Sequence, residues 1–449
     1  MSDAEVVVIG AGPAGLAAAG ELARAGIAVT LVEQRATAGG AIHRQPVGAA
    51  KAIPVSATAR RRFETLMRGV DTPLVNHRVS TSFLGLDGDG LVILEGRLSG
   101  QVDAIKAKAV ILATGAVEKI RPLPGWELPG VSTAGGMQVM LKETGAAPKG
   151  RVLLAGNGPL LIALAAQMIR AGNPPIAIVE AGNPFSAPAT ALRLLPHGAL
   201  LREASGYMAD VLRSGTPWKR GARISRIERT QRVLTATIRH ADGREESIEC
   251  DRIALHDGIR ENDIGLPPAA SDRMPFVLRA GDCRHALGVL AAVADGERAG
   301  VEATGLIAGK LAALARFQKK IVRQEAAQAL LARLFIPVTE PPPLADLPGE
   351  TVLCRCEGGT VDDLKSLLRI KDGLSGREVK HNGRFAMGSC QGRFCAANTA
   401  ALMAELRPDG PTPTQGDLTG RRWPVRPVSI AALLNAASDK TTNDHEVRS

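Results

Sequence analysis

Four of the six cysteines lie late in the chain, in two closely spaced pairs. Cys354 and Cys356 form the first pair, and Cys390 and Cys395 follow after thirty-three intervening residues. Thiolates are soft, charged ligands that suit both iron–sulfur clusters and structural zinc. The pattern by itself leaves three uses open: a cluster, a zinc ion or a disulfide.

The composition limits which partners the protein can have. The chain has 449 residues, of which 45% are hydrophobic, so we expect two or three globular domains. Only 3% are aromatic, which argues against nucleic-acid binding by base stacking. The formal charge of +10 comes without a long run of like charges. It is explained by cations spread over solvated surfaces, with docking of an acidic redox partner as the alternative.

The sequence predicts a cytoplasmic protein without a membrane span. The apolar run Val6–Ile9 is too short for a signal peptide, and no stretch of about 18 apolar residues occurs. Thiols in the cytoplasm stay reduced, which favours metal ligation over a disulfide.

A glycine-rich turn near the start predicts a dinucleotide site. Gly10, Gly12 and Gly15 lie between a predicted strand and an alanine-rich helix, and Glu33 ends the next predicted strand eighteen residues later. The first glycine permits a tight turn, the second lets pyrophosphate approach the backbone, and the third allows close helix packing. The helix N-terminus attracts the phosphates, and Glu33 would bind the ribose.

The motifs that follow this turn resemble those of the two-dinucleotide-binding flavoproteins, which implies FAD. They are Gly39-Gly40, Ala113-Thr114-Gly115 and Ala280-Gly281-Asp282. The resemblance implies that Asp282 binds the ribityl–phosphate region and that the backbone of Val79 contacts adenine. The FAD-binding residues predicted in this way are Gly10, Gly12, Pro13, Ala14, Gly15, Glu33, Gln34, Gly40, Arg44, Val79, Ala113, Thr114, Gly115, Gly281 and Asp282.

A second glycine turn predicts a second nucleotide-binding unit. Gly156, Gly158 and Glu180 repeat the first pattern, but Leu161 replaces the third glycine. Few residues separate Gly258 from the later flavin motif, which leaves little room for a complete nicotinamide pocket. NAD(P), ATP and a vestigial site all remain open here.

The late cysteines resemble the small helical [2Fe–2S] domain of the bacterioferritin-associated-ferredoxin type. This resemblance implies that Cys354, Cys356, Cys390 and Cys395 hold the cluster; zinc and a disulfide are the alternatives. Cys250 and Cys283 are isolated, and we expect buried, inert thiols at both. Cys283 follows Asp282 directly, so a role beside the flavin is the second interpretation.

These assignments predict an α/β fold with two Rossmann-like domains, similar to glutathione-reductase-like flavoproteins, followed by the small helical [2Fe–2S] domain. Five prolines between residues 337 and 348 indicate the boundary before the cysteines. The predicted domains are 1–120 with 275–335 for FAD, 121–274 for the second nucleotide, 350–405 for the cluster, and 406–449 as an extended tail.

From end to end, the chain resembles the larger flavin and iron–sulfur subunit of bacterial opine oxidases, hydroxyproline dehydrogenases and hydrogen cyanide synthase. The marks include the segments at 44–46, 113–118, 124–136 and 426–428. The resemblance implies a partner flavoprotein subunit, similar to amino-acid oxidases, that oxidises a C–N bond, sometimes with a small ferredoxin-like subunit. It also implies an electron acceptor such as a quinone, through which the complex would associate peripherally with the membrane.

No general base or nucleophile triad is evident beside the flavin motifs, which fits an electron-transfer subunit. His43, His77 and His256 are scattered, and we expect structural or exposed roles for them. Two other hypotheses remain: a self-sufficient NAD(P)H-dependent reductase, and a scaffold whose cofactors are structural.

Overall fold

A computed structural model describes residues 2–371, 373–420, 424–432 and 434. It divides into three units, each with its own hydrophobic core. The first unit contains β1 (Ser2–Ile9), α1 (Pro13–Arg24), β2 (Val29–Val32), α2 (Ala57–Val70), β3 (Val75–Arg78), β4 (Thr81–Leu86), β5 (Leu91–Gly96), β6 (Val102–Leu112), β17 (Phe276–Arg279) and α7 (Val289–Ile307).

The sheet of the first unit confirms the predicted Rossmann-like fold. Its strand order is β3-β2-β1-β6-β5-β4, and β17 also pairs with β6. The strands β1, β2, β3, β6 and β17 run parallel, whereas the β4–β5 hairpin adds antiparallel strands to the first half of β6. The apolar run Val6–Ile9 is buried on both faces, as expected for a central parallel strand.

Helices α1 and α7 pack closely because small residues face each other. A Cβ on Gly296 would lie 2.1 Å from the carbonyl oxygen of Ala14, and one on Gly300 would lie 2.8 Å from that of Ala18. This packing joins the N-terminal turn to a helix almost 300 residues later in the chain. The predicted helical region 286–312 therefore returns to the first unit.

The second unit is another parallel sheet with helices and a small antiparallel sheet. The parallel order is β11-β10-β9-β15-β8, and the antiparallel order is β12-β13-β14. Its elements are β8 (Val131–Thr133), α3 (Ala134–Thr144), β9 (Val152–Gly156), α4 (Pro159–Arg170), β10 (Ala177–Glu180), α5 (Pro188–Leu192), α6 (Gly198–Ser214), β11 (Trp218–Arg220), β12 (Ala222–Thr230), β13 (Val233–His240), β14 (Glu245–Cys250) and β15 (Arg252–His256).

One expectation for this unit is wrong in detail. The polar composition of the segment from 203 onward predicts strands, but its first part belongs to helix α6. Leu200, Leu201, Tyr207, Met208 and Val211 provide a helical apolar stripe that packs on the core of the second unit.

A two-stranded ribbon connects the first two units. It consists of β7 (Ala116–Glu118) paired antiparallel with β16 (Ile259–Glu261), and we call it the connecting ribbon. Helix α8 (Ala315–Leu334) then crosses from α7 to the second unit, where Leu330, Leu331 and Leu334 join its core. The stretch predicted to end the first domain thus contributes to the second.

The third unit carries the late cysteines. Its elements are β18 (Val352–Cys354), β19 (Gly359–Thr360), α9 (Val361–Ile370), α10 (Gly376–Gly383), α11 (Ala396–Leu406) and α12 (Gln415–Thr419). Its core extends from Leu344 to Leu418, beyond the 350–405 range taken from the cysteines. The unit contacts the second one through Trp126, whose indole N–H donates to the Val352 carbonyl at 2.6 Å.

The described part of the tail reaches back to the first unit. The backbone N–H of Val425 donates to the Leu84 carbonyl at 2.8 Å, and the Val425 side chain is buried beside Val7, Ile9 and Phe83. Most of the tail after residue 434 lies outside the described residues. Among the residues that are described, no helix is long and apolar enough to cross a bilayer.

Candidate functional site

The first glycine turn is too tightly packed for larger side chains. Gly10 has φ +105°, and a Cβ there would lie 2.4 Å from the Ala113 carbonyl oxygen. A Cβ on Gly15 would lie 1.7 Å from the Gly10 carbonyl oxygen. The turn therefore brings β1, α1 and the end of β6 together at one edge of the sheet, where ligands of open α/β sheets bind.

The start of α1 is suited to an anion. Gly12 is its N-cap and provides no side-chain hydrogen bond, so the N–H groups that follow, apart from Pro13, which has none, are available. A Cβ on Gly12 would meet only the Cα of Gly40, at 3.6 Å, whereas one on Gly40 would lie 2.9 Å from the Cα of Gly12. The two glycines leave backbone, rather than side chains, facing the space before the helix.

Glu33 lies beside this turn with both carboxylate oxygens engaged. It accepts hydrogen bonds from the backbone N–H groups of Ala11, at 3.0 Å, and Arg35, at 2.9 Å. The side chain is 6% exposed. These contacts fix the carboxylate at the end of β2, where the sequence predicted a ribose acid.

A cavity of about 300 Å³ adjoins Glu33. Gln34, Arg35, Ser80, Arg97 and Glu143 are among its lining residues. Val79 precedes Ser80 in the loop between β3 and β4, so two predicted adenine-side residues border the same space. The cavity therefore has the position expected for the adenosine end of a dinucleotide.

Arg44 lies deeper and close to the same acids. Its Nε is 3.7 Å from Oε1 of Glu143, and its side chain is 9% exposed. Burial lowers its pKa, an effect that the nearby carboxylates of Glu143 and Glu33 oppose. The structure therefore assigns Arg44 a charge-balancing place between α3 and the first nucleotide turn.

Thr114, Gly115 and Asp282 complete the first site. The Thr114 hydroxyl donates to the Asn262 carbonyl at 2.8 Å, and the Asn262 side-chain amide donates to the Thr114 carbonyl at 3.1 Å. Oδ1 of Asp282 accepts from the N–H groups of Leu287 and Gly288, both at 3.1 Å, just before α7. Burial raises the pKa of Asp282.

These observations test whether the residues suit FAD, and they do. The turn leaves a backbone-lined space at the start of α1, and acids are fixed at both ends of the site. The predicted residues from Gly10 to Asp282 lie along one edge of the first sheet, at the carboxyl ends of its parallel strands.

The second glycine turn has the same shape but a different surrounding. Gly156 and Gly158 have φ +136° and +114°, and a Cβ on Gly156 would lie 1.8 Å from the His256 carbonyl oxygen. Leu161 is fully buried in the core of the second unit. Glu180 accepts from the Gly158 N–H at 3.0 Å, and burial raises its pKa to about 8.

A stretch of the chain's own backbone crosses this second site. We call Phe335–Val338 the cover segment. The Asn157 side chain donates to the Phe335 carbonyl at 2.8 Å, Pro337 bridges Gly182, and the Val338 N–H donates to the Ala181 carbonyl at 2.9 Å. The cover segment therefore lies across the strand end beyond Glu180, where a ribose bound by that acid would be expected.

Two buried polar groups near this junction carry no recognisable sequence signal. Nδ1 of His256 lies 2.9 Å from Oε1 of Glu118, and Gly136 donates its N–H to Oε2 of the same carboxylate. Lys142 donates to the carbonyls of Ala41 and Ile42, and burial lowers its pKa to about 8. The partners in each case are far apart in the sequence, so only the fold reveals them.

His43 and His77 have structural surroundings, as expected. The His43 ring stacks on Phe63 with centroids 5.3 Å apart, and burial lowers its pKa to about 4. The pKa of His77 is also lowered by burial. Cys250 and Cys283 are fully buried, and Cys283 donates to the Leu112 carbonyl at 3.0 Å. Burial raises the pKa of both thiols, so neither is a reactive group.

The third unit brings the four late cysteines together as free thiols. Hydrogen bonds from Cys395 lower the pKa of Cys354 to about 6 and that of Cys390 to about 5, and these two neighbours raise the pKa of Cys395. Cys356 in turn interacts with Cys390. The thiols thus form a contiguous chain in the order 354, 395, 390 and 356.

Backbone N–H groups also point at these sulfurs. Cys354 accepts from Glu357 and Ala386, and Cys390 accepts from Gly392 and Phe394. Gly388 has no room for a side chain, because a Cβ there would lie 2.3 Å from that of Cys356. Backbone N–H groups directed at thiolates are typical of iron–sulfur sites.

The pairwise contacts differ from a finished coordination site. In the part of the chain that the structure describes, no group of three or more His, Cys, Asp or Glu side chains is arranged around a common point for a metal ion. The donor chemistry suits a cluster or zinc, and binding either group would require the thiols to turn from one another toward a shared centre. Cys354 and Cys395 are buried, whereas Cys356 is exposed.

Comparison with known proteins decides the family. Residues 4–276 match the family described as pyridine nucleotide-disulphide oxidoreductase. The chain belongs to this flavoprotein family. It is also 30% identical to one of the named opine oxidase subunits of Agrobacterium tumefaciens (strain Ach5), over 98% of this chain and 95% of that protein. It is 26% identical to the HcnB subunit of hydrogen cyanide synthase from Pseudomonas protegens, over 98% of this chain and 99% of that one.

A solved structure supports the same architecture. L-proline dehydrogenase from P. horikoshii superimposes with a TM-score of 0.62 at 20% identity, covering 96% of this chain and 79% of that one. The chain is therefore a flavin-dependent oxidoreductase with a Rossmann-like dinucleotide-binding fold. The resemblance inferred from the sequence is confirmed, and FAD is the cofactor that the family supports.

Proposed function

We propose that this chain is the electron-transfer subunit of a heteromeric flavin-dependent dehydrogenase that oxidises the C–N bond of an amino acid or opine. The substrate would be of the opine, hydroxyproline or glycine type, and electrons would pass between FAD and a [2Fe–2S] cluster toward a quinone or another acceptor. The names of the relatives support the complex, since both sequence relatives are named as subunits.

In this proposal the two sites have separate tasks. The residues from Gly10 to Asp282 along the first sheet hold FAD, and the four late cysteines hold the cluster. When bound, FAD exchanges electrons in pairs and a [2Fe–2S] cluster exchanges them singly. The N-terminus of α1 would bind the pyrophosphate, and Glu33 would orient the ribose.

The observation that carries the proposal is the contact between the third unit and the first site. Arg393 lies between Cys390 and Cys395, and its Nε is 3.4 Å from Oδ1 of Asn262. Asn262 is the residue that hydrogen-bonds Thr114 at the end of β6. An electron route therefore needs only a short stretch of protein between the predicted flavin site and the thiols.

The described residues offer no acid–base group of their own for C–N oxidation at the first site. Glu118 and His256 bond each other at the second glycine turn, and His43 is held neutral by burial. These contacts are consistent with two further partners: an amino-acid-oxidase-like protein that oxidises the substrate, and a small ferredoxin-like one. We place the complex in the cytoplasm, associated with the membrane only through its acceptor.

Metal analysis of the purified chain tests the cluster. We expect iron and sulfide, with a rhombic paramagnetic signal after reduction. Cys390→Ala should abolish both, whereas Cys250→Ala, which changes a buried thiol elsewhere, should retain them. Stoichiometric zinc without iron would disprove the relay.

Activity measurements test the division of labour. The isolated chain should be inert toward amino acids and opines, and activity should appear when the amino-acid-oxidase-like partner is co-expressed. Rapid turnover of such a substrate by the isolated chain would contradict the proposed role.

A further inference from the structure

One residue touches both the predicted flavin site and the loop that carries two of the cysteines. Asn262 follows the connecting ribbon, and its backbone N–H donates to the Gly115 carbonyl at 3.1 Å. Its side-chain amide donates to the Thr114 carbonyl at 3.1 Å. Three hydrogen bonds, counting that from the Thr114 hydroxyl, thus fix Asn262 to the end of β6.

The remaining polar atom of the Asn262 side chain faces the third unit. Its Oδ1 accepts from Nε of Arg393 at 3.4 Å. Arg393 in turn donates from NH1 to the Cys390 carbonyl at 3.1 Å, and its own carbonyl accepts from Arg260 of the connecting ribbon at 2.7 Å. We call residues 390–395 the thiol loop.

These bonds form a continuous polar connection from the end of β6 to the thiol loop. We propose that Asn262 is a positioning residue that holds the thiol loop against the flavin site through Arg393, and that electrons cross between the two redox groups at this contact. The inference rests on the proposed function, since it presumes FAD and a [2Fe–2S] cluster in the two sites.

The electron balance follows from the two groups. Full reoxidation of a two-electron-reduced flavin releases two electrons and two protons. The electrons cross one at a time, the protons pass to solvent, and an external one-electron acceptor such as a quinone or a ferredoxin-like protein removes each electron in turn. Asn262 takes no part in the bond changes; it determines how closely the thiol loop approaches.

The chain offers a matched control for this contact. Asn398 is also half-buried and also joins the third unit to the body, because its side chain donates to the Ile120 carbonyl at 2.8 Å. That bond lies away from Thr114 and the thiol loop. Asn262→Ala and Asn398→Ala therefore each remove one interdomain side-chain link, but only the first removes the proposed connection.

The experiment uses the full chain with its cofactors. After flash reduction of the flavin with 5-deazariboflavin, the bleaching of the cluster reports electron transfer within the chain. We expect Asn262→Ala to slow this step about tenfold, since losing one hydrogen bond reduces the docked population by about that factor. Asn398→Ala should retain the wild-type rate.

Two further readouts separate positioning from general damage. Flavin and iron content, the spectrum of the reduced cluster and the unfolding temperature should be unchanged in Asn262→Ala, while hydrogen exchange rises in the thiol loop. Asn262→Asp keeps an oxygen acceptor for Arg393 and should recover most of the rate.

The outcomes distinguish this inference from the proposed function. If the wild-type chain has no cluster, or its cluster is never reduced by the flavin, the proposed function fails. If wild-type transfer occurs but Asn262→Ala is equally fast, only the inference fails. It also fails if Asn262→Asp is as slow as Asn262→Ala, because the contact to Arg393 would then not be the one that positions the loop.

Discussion

At the scale of single residues, Gly281 is the most constrained position of the first site. It has φ +70°, and a Cβ there would lie 2.5 Å from that of Ala14. Gly281 therefore allows the Asp282 turn to approach the start of α1. Any side chain would push the predicted ribityl-binding acid away from the predicted pyrophosphate site.

We expect Gly281→Ala to lose FAD and stability together. A non-glycine residue at positive φ costs about 1–2 kcal/mol, and the contact with Ala14 adds to this. Gly309→Ala is the matched control, because Gly309 has φ +63° and nothing within 4 Å of its Cβ position. The flavin-to-protein absorbance ratio and the free energy of unfolding measure the difference. Equal losses in both variants would show that backbone strain alone, and not the approach to Ala14, matters.

Glu180 should make the stability depend on pH. Burial raises its pKa from 4.5 to about 8, and its Oε2 has no hydrogen-bond partner. Between these values the folded chain binds more protons than the unfolded chain, so the free energy of unfolding falls as the pH rises from about 4.5 to 8. The full shift corresponds to up to about 5 kcal/mol.

Glu180→Gln tests this pH dependence, because the amide is uncharged at every pH. The variant should match the wild type near pH 4.5 and exceed its unfolding temperature at pH 8. Glu64→Gln, on the exposed face of α2, should follow the wild type throughout. A constant difference between Glu180→Gln and the wild type across this range would contradict a buried, protonated Glu180.

At the scale of elements, both glycine turns have the same local shape, but only one leads to an open site. The first turn is followed by Glu33, whose strand end borders a cavity of about 300 Å³. The second is followed by Glu180, whose strand end pairs with the cover segment. Since a dinucleotide must extend across this strand end, the cover segment competes with it for the same backbone groups.

We therefore expect the chain to react slowly, if at all, with NAD(P)H. Anaerobic NADH or NADPH should leave the flavin absorbance unchanged over minutes, whereas dithionite should bleach it. Rapid bleaching by either nucleotide would instead favour the self-sufficient reductase and would require the cover segment to move.

The sequence predicted the elements whose signals are local. The Val6–Ile9 strand, the glycine turn and Glu33 lie within 28 residues, and periodicity plus spacing sufficed to place them. The cover segment, the Glu118–His256 pair and the Asn262–Arg393 contact join residues more than 100 apart. No local pattern encodes such pairs, because they depend on how the units pack.

The cysteines show the same division between pattern and geometry. Their spacing predicted that they would converge, and the thiols do contact one another. The spacing could not predict that Cys356 is exposed while Cys354 and Cys395 are buried. That asymmetry arises from the core of the third unit, which includes residues from Leu344 to Leu418.

At the scale of the whole molecule, the tail connects the two ends of the chain. Val425 is 4% exposed and fills the first unit's core next to Val32, the residue that precedes Glu33. Arg426 follows it, near Glu33, Arg35 and Arg97; burial, and then repulsion from the two arginines, lowers its pKa. The tail therefore supports the strand end from which the predicted ribose acid projects.

Removing the tail should consequently release flavin without affecting the thiols. A chain ending at Gly420 keeps α12 in the third unit but loses Val425, whose burial contributes about 1.5–3 kcal/mol. We expect a lower flavin-to-protein ratio and a lower unfolding temperature for the first unit, with unchanged metal content. A chain ending at Leu434 retains these contacts and should match the full-length protein. Because the two truncations differ only in residues 421–434, full flavin retention by the shorter one would show that β2 holds Glu33 in place without the tail.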